Sequence, residues 1–163
     1  MVIYNHKCIM NCCFIGHRKI ERTKELEDKV FKVVEDLIKN KNVDTFLFGS
    51  RSEFNDLCYE IVSSLKEKYP NIKRIYVRGE YQYIDDKYKD FYFLKGYEDS
   101  YLPKRCKVGS RASYVQRNFE MIDKSNYCVF YYDKNYSLKN TSGTKLAYNY
   151  AVGKHKAIYD IKS

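Results

Sequence analysis

The stretch Cys8-Ile-Met-Asn-Cys-Cys-Phe-Ile15 is apolar at almost every position and ends at Gly16-His17-Arg18. A strand with one wet face alternates apolar and polar side chains. A near-continuous apolar run instead needs cover on both faces, as a parallel strand between two helical layers has. The first strand is therefore placed at Lys7 to Ile15. Further runs of strand length are Asp44-Thr-Phe-Leu-Phe48, Ile72-Lys-Arg-Ile-Tyr-Val77, Tyr127-Cys-Val-Phe-Tyr-Tyr132 and His155 to Ile161. The weaker alternation of Ile72–Val77 suits a strand near the sheet edge.

Helical patterns separate these runs. Between Arg22 and Asn40, Leu26, Val30, Val33 or Val34, Leu37 and Ile38 recur at three- and four-residue steps, with acidic residues early and lysines late. Ser52 can cap a second helix that turns Phe54, Leu57, Cys58, Ile61, Val62 and Leu65 inward and stops at Tyr69-Pro-Asn-Ile72. Ala112 to Lys124 is helical, with Tyr114 or Val115, Asn118, Phe119 and Ile122 on neighbouring faces. A last helix runs from Ser142 to Val152 and breaks at Gly153. Strands separated by helices imply a parallel sheet with right-handed crossovers. The expected fold is a three-layer α/β domain with about five strands in the order 3-2-1-4-5.

A chain of 163 residues, 44% of them hydrophobic, suits one domain with one core. No apolar stretch is long enough to span a membrane and the N-terminus lacks the pattern of a signal peptide, so a cytoplasmic location is expected. The six cysteines, Cys8, Cys12, Cys13, Cys58, Cys106 and Cys128, include no C-x-x-C pair. They read as reduced core thiols with no metal site. The formal charge of +9 and the 18 tyrosines permit nucleic-acid binding. Acidic residues interleave with the lysines along the helices, however, and a solvated surface accounts for them equally well.

The segment from Arg78 to about Ser110 contains Tyr81, Tyr83, Tyr88, Tyr92, Tyr97 and Tyr101 among many charges. A structureless loop of that length is unusual in a compact domain, so a short helix is expected within this tyrosine-rich insertion. Two readings stay open, a self-packed surface excursion and a lid whose tyrosines stack on a planar ligand.

In the expected strand order the chain reverses direction between the first and fourth strands, leaving a crevice at their carboxyl ends. Gly16-His17-Arg18, Gly49-Ser50-Arg51 and Arg78-Gly79 leave the first three strands at that edge, and Arg111 precedes a helix that starts there. Any one of these arginines is read more simply as a surface charge. Their recurrence beside the helix start Ser142-Gly143-Thr144 favours a phosphate-bearing ligand, since guanidinium groups and helix N-termini both bind anions. Thr141 or Ser142 could equally be an ordinary helix cap.

Cys12-Cys-Phe-Ile-Gly-His-Arg18, Tyr114-Val-Gln-Arg-Asn-Phe-Glu-Met-Ile-Asp123, the strand at Tyr127–Tyr132 and Ser142-Gly-Thr-Lys-Leu-Ala-Tyr-Asn-Tyr-Ala151 resemble the SLOG superfamily of Rossmann-like domains. The nearest likeness is to its small bacterial and phage branch, with a Gly-His-Arg start and a Ser-Gly-Thr helix. The resemblance implies that Gly16, Arg18, Arg117, Asn118, Ser142, Gly143 and Thr144 stand at ligand-site positions. It also implies a nucleotide or NAD-derived ligand, for related domains bind such signals, including cyclic ADP-ribose isomers in bacterial anti-phage systems. Others of the superfamily hydrolyse nucleoside phosphates.

The chain departs from that hydrolase branch, whose pattern is Pro-Gly-Gly-x-Gly-Thr-x-x-Glu. Here the run is Thr141-Ser-Gly-Thr-Lys-Leu-Ala147, with alanine in place of the glutamate. Binding without catalysis is therefore the leading expectation, and a stand-alone domain of this kind could act as a sponge for a nucleotide signal. The alternative is an N-glycoside hydrolase or deoxyribosyltransferase-like enzyme. Such chemistry needs a carboxylate beside the anomeric carbon, and Glu53 or Asp56 is the candidate, Glu53 first. Both residues are also what a helix dipole favours in its first turn. The expected partner is a nucleotide-derived small molecule held by a homo-oligomer, with no cofactor, metal or membrane, and nucleic acid ranks third.

Overall fold

The computed structural model describes residues 8–49, 51–79, 96–107, 112–135 and 143–162. In chain order the elements are β1 (Met10–Gly16), α1 (Lys24–Lys41), β2 (Val43–Phe48), α2 (Glu53–Lys68), β3 (Lys73–Val77) and β4 (Asp99–Tyr101). They continue with α3 (Ala112–Asp123), β5 (Tyr127–Tyr131), α4 (Gly143–Gly153) and β6 (Ala157–Asp160). The strands form one sheet in the order β4-β3-β2-β1-β5-β6, and each neighbouring pair is parallel.

The α/β layering follows the sequence pattern, but among the described residues the sheet has six strands where about five were expected, and its order differs by the added β4. That strand arises within the tyrosine-rich insertion and pairs with β3, so Ile72–Val77 lies near the edge, as expected, but second from it and not at it as the expected order had it. Its Asp-Ser-Tyr sequence carries no apolar run. Pairing with the open side of β3, not intrinsic preference, makes it a strand.

Period two sorts the core into two layers. Cys12 and Phe14 of β1, Phe46 and Phe48 of β2, and Val129 and Tyr131 of β5 face α1 and α2. The intervening residues Cys13, Ile15, Leu47, Cys128 and Phe130 face α3 and α4. Phe14 stacks on Phe46 and Phe48, with centroids 5.8 and 5.1 Å apart. Each such fully buried side chain contributes roughly 1.5–3 kcal/mol. Cys8 is exposed, contrary to expectation, and the other five cysteines are buried and free.

Local signals hold the helix ends. Thr23 Oγ1 accepts the Leu26 N–H at 3.1 Å, and Ser52 Oγ accepts that of Asn55 at 3.1 Å. Helix α1 closes at Asn42, whose left-handed φ of 56° sends its N–H to the Leu37 carbonyl. On α3 the inward face is Ser113, Arg117, Asn118, Met121 and Ile122, while Tyr114 is exposed. Of the residues expected on neighbouring faces, Asn118 and Ile122 are buried, and Arg117 joins them.

Strands β1 to β4 are laid down to one side of β1, and α3 then returns the chain across the opposite face to β5. Right-handed crossovers place helices on opposite faces when the direction of travel reverses. The reversal falls between β1 and β5. Among the described residues no helix is long and apolar enough to cross a membrane.

Candidate functional site

Gly16 and Tyr131 are partners at the carboxyl ends of β1 and β5, the two strands between which the chain reverses direction, and open α/β sheets bind ligands at such a point. His17 follows β1 directly. Its side chain is buried, its Nε2 accepts the Asp133 backbone N–H at 2.9 Å, and its ring meets Tyr131 edge-on at 6.1 Å. An accepting Nε2 means a neutral imidazole with its proton on Nδ1. Burial lowers the pKa of His17, and the Asp133 carboxylate opposes that shift. Expected from sequence as a ligand residue, His17 is built into the wall as a tie between two strand ends.

The loop after β1 is fastened to the first turn of α2. The Glu53 N–H donates to the Arg18 carbonyl at 2.8 Å, and the Glu53 carboxylate accepts the Ile20 N–H at 2.7 Å. Three residues further along, Asp56 has a raised pKa, caused by burial and then by repulsion from Glu60 and Glu53.

Asn55, unremarked in the sequence, joins three chain segments. Its Nδ2 donates to the Phe14 carbonyl at 3.2 Å and to Ser52 Oγ at 3.3 Å, and its Oδ1 accepts the Gly49 N–H at 3.4 Å. The available signal was an amide between Phe54 and Leu57 on an otherwise apolar helix face, since buried polar groups are retained where they satisfy backbone.

The glycines at this edge are explained by close packing. A Cβ on Gly16 would stand 2.7 Å from Phe54 Cβ. One on Gly49 would lie 2.6 Å from Met121 Sδ and 2.7 Å from Arg117 Cδ, and one on Gly79 would lie 3.1 Å from Arg117 Cβ. Arg117 thus threads between the exits of β2 and β3. It is 3% exposed, donates to the Gly49 carbonyl through Nη1 and to Asn118 Oδ1 through Nε at 3.3 Å, and lies 5.3 Å from the Tyr114 ring centroid. At the next exit Ser113 Oγ donates to the Gly79 carbonyl. Arg117 therefore braces the edge from beneath, with Asn118 buried beside it.

Other residues lie toward solvent. Arg18 and Arg51 are exposed, whereas Arg78 is buried, with its N–H bonded to the Tyr101 carbonyl at 2.8 Å. Gly143 opens α4, is exposed, and has no described atom within 4 Å of where a Cβ would sit. Unlike the other glycines here, it is not required by packing. Thr144 beside it is buried. Tyr132 and Tyr148 stand with ring centroids 5.0 Å apart, next to His17. Ser50, Arg111 and Ser142 lie outside the described residues, as do Tyr81, Tyr83, Tyr88 and Tyr92.

Chemically, this edge combines exposed guanidinium groups, aromatic rings and the start of a helix. These features suit an anionic, planar molecule. Among the described residues no group of three or more His, Cys, Asp or Glu side chains is arranged to hold a metal ion. A scan against protein-family models matches none, and no curated protein matches the chain.

Proposed function

We propose that this protein binds a nucleotide-derived signalling molecule, of the cyclic ADP-ribose or cyclic nucleotide class, at the carboxyl edge of the sheet and holds it without cleaving it. The reading makes the domain SLOG-like and its role sequestration, as for a sponge that counters nucleotide-triggered phage defence. What supports it is that Arg18, just after β1, is exposed and that Gly143, which opens the helix after β5, is exposed with no described atom within 4 Å of where a Cβ would sit, β1 and β5 being the two strands that flank the switch point. A phosphate there meets one guanidinium and the N-terminal amides of α4, while Tyr132 offers a face for a base.

Retention without cleavage is supported by the state of the carboxylates. Glu53, the candidate nucleophile, spends its carboxylate on the Ile20 N–H, and Ala147 is fully buried where the hydrolases of the resembled branch keep a glutamate.

Calorimetric titration with cyclic ADP-ribose isomers, ADP-ribose and cyclic dinucleotides tests binding. Arg18→Ala should weaken it by roughly ten- to a hundredfold, the loss of about 1.5–3 kcal/mol expected for a charge-assisted bond. Ligand recovered after denaturing the complex should be chemically intact by chromatography. Catalytic release of free base, abolished by Glu53→Gln, would replace sequestration with hydrolysis.

A further inference from the structure

Among the described residues strand β6 ends the sheet on the β5 side. The direction of its backbone groups follows from one bond, the Ile161 N–H donating to the Phe130 carbonyl at 2.8 Å. These groups alternate along a strand, so those of Tyr159 and Ile161 face β5 and those of Ile158 and Asp160 face the open edge.

Edge strands are normally blunted by central charges, proline or a bulge. Ala157-Ile158-Tyr159 has none of these and is flanked by Lys156 and Asp160. Ile158 and Tyr159 are half-buried on opposite faces. Helix α4 packs on the Ile158 face and exposes Leu146 (38%) and Val152 (52%), adding apolar surface on that side.

We propose that the outer edge of β6 is a self-association surface, on which two copies of this chain pair antiparallel about a two-fold axis at Ile158 and continue one sheet through both. Charge complementarity argues for a second copy as the occupant. Lys156-Ala-Ile-Tyr-Asp160 carries a cation at one end and an anion at the other, so the antiparallel arrangement sets Lys156 opposite Asp160 of the partner subunit, and Asp160 opposite Lys156 of the partner subunit. The same register pairs the outward backbone groups of Ile158, while the Lys156 N–H is already donated to the Ala151 carbonyl at 3.1 Å. The Ile158 N–H and C=O exchange with those of Ile158 of the partner subunit, and the interface is isologous, as a closed dimer requires. The Lys156 ammonium, which donates to the Ser125 carbonyl at 2.9 Å, is held on the Ile158 side of the sheet.

The register is tested by cross-linking in a Cys8→Ser background, since Cys8 is exposed. Residue 157 faces residue 159 of the other copy as a non-hydrogen-bonded pair, the closer kind, with Cβ atoms near disulfide range. Ala157→Cys and Tyr159→Cys are purified separately, checked for native circular dichroism, mixed, and oxidised with glutathione disulfide. Two thiols then yield one disulfide and two reduced glutathiones. The mixture should give a linked dimer on a non-reducing gel and each variant alone should not. In light scattering the wild-type protein should approach twice its 19.5 kDa mass as concentration rises. Asp160→Lys, which sets lysine against Lys156 of the partner subunit, should weaken dimerisation about tenfold or more while the monomer stays folded. A wild-type mass of one copy at every concentration, or equal cross-linking in the single variants, would overturn the proposal. None of these readouts depends on ligand.

Discussion

Nε2 of His17 accepts the backbone N–H of Asp133 at 2.9 Å, and this bond ties the ends of β1 and β5 where the chain reverses across the sheet. Because burial keeps the His17 pKa below its usual 6.5, the unfolded chain takes up a proton before the folded one as the pH falls. This contribution is therefore complete above pH 6.5 and is lost as the pH drops from there toward the folded value. Urea titrations above and below that pH should show the loss. His17→Ala should flatten the slope and, by leaving the Asp133 amide without its acceptor, cost about 1–3 kcal/mol at neutral pH. An unchanged slope in the variant would assign the pH dependence to other groups.

The glycines at the carboxyl edge should separate into two kinds. In Gly49→Ala the new methyl meets Met121 and Arg117, and in Gly16→Ala it meets Phe54, so each should lose about 1–3 kcal/mol by overpacking. Gly143→Ala meets no described atom and should leave the thermal midpoint nearly unchanged. If phosphate approaches that helix start, the same substitution should nevertheless weaken nucleotide binding. Melting curves and titrations on the three variants give both quantities.

Asn55→Ala should be among the more damaging polar substitutions. It removes the side-chain partners of the Phe14 carbonyl and the Gly49 N–H together, both at buried sites. About 2–6 kcal/mol is expected, at about 1–3 kcal/mol for each of the two groups left unsatisfied. Chemical denaturation provides the measure. A loss below about 0.5 kcal/mol would mean that water replaces the amide.

Glu98 anchors the return of the insertion to β3. Burial pushes its pKa up, but bonds from the Arg74 side chain and backbone and from Lys66 outweigh that effect and hold it at about 2. A carboxylate with a depressed pKa stabilises the fold above its unfolded value near 4.5 and loses that contribution as the pH falls toward 2. Glu98→Gln should therefore lower the melting temperature at neutral pH and reduce its fall between those two values. Hydrogen exchange should show the added opening first at β4, whose pairing with β3 begins one residue later at Asp99.

The apolar run at Cys12–Ile15 by itself required cover on both faces, and the apolar inward residues of α2 from Phe54 to Leu65, though not Asn55, could be named from their spacing alone. Both are local consequences of side-chain period, and the cap at Ser52, whose Oγ accepts the Asn55 N–H, and the alternation of strand with helix were local as well. The position of β4 was not local: three polar or aromatic residues become a strand only because β3 offers an unpaired edge. Nor was the role of Arg117. An arginine on a helix reads as a surface or ligand charge, and only tertiary packing sets it between Gly49 and Gly79, where two missing side chains make its channel. His17 shows the same limit, since its neutral, accepting imidazole depends on an amide 116 residues away. Periodicity reports which face of an element is dry, whereas the choice between strut and ligand contact depends on what the rest of the chain brings to the far end of the side chain.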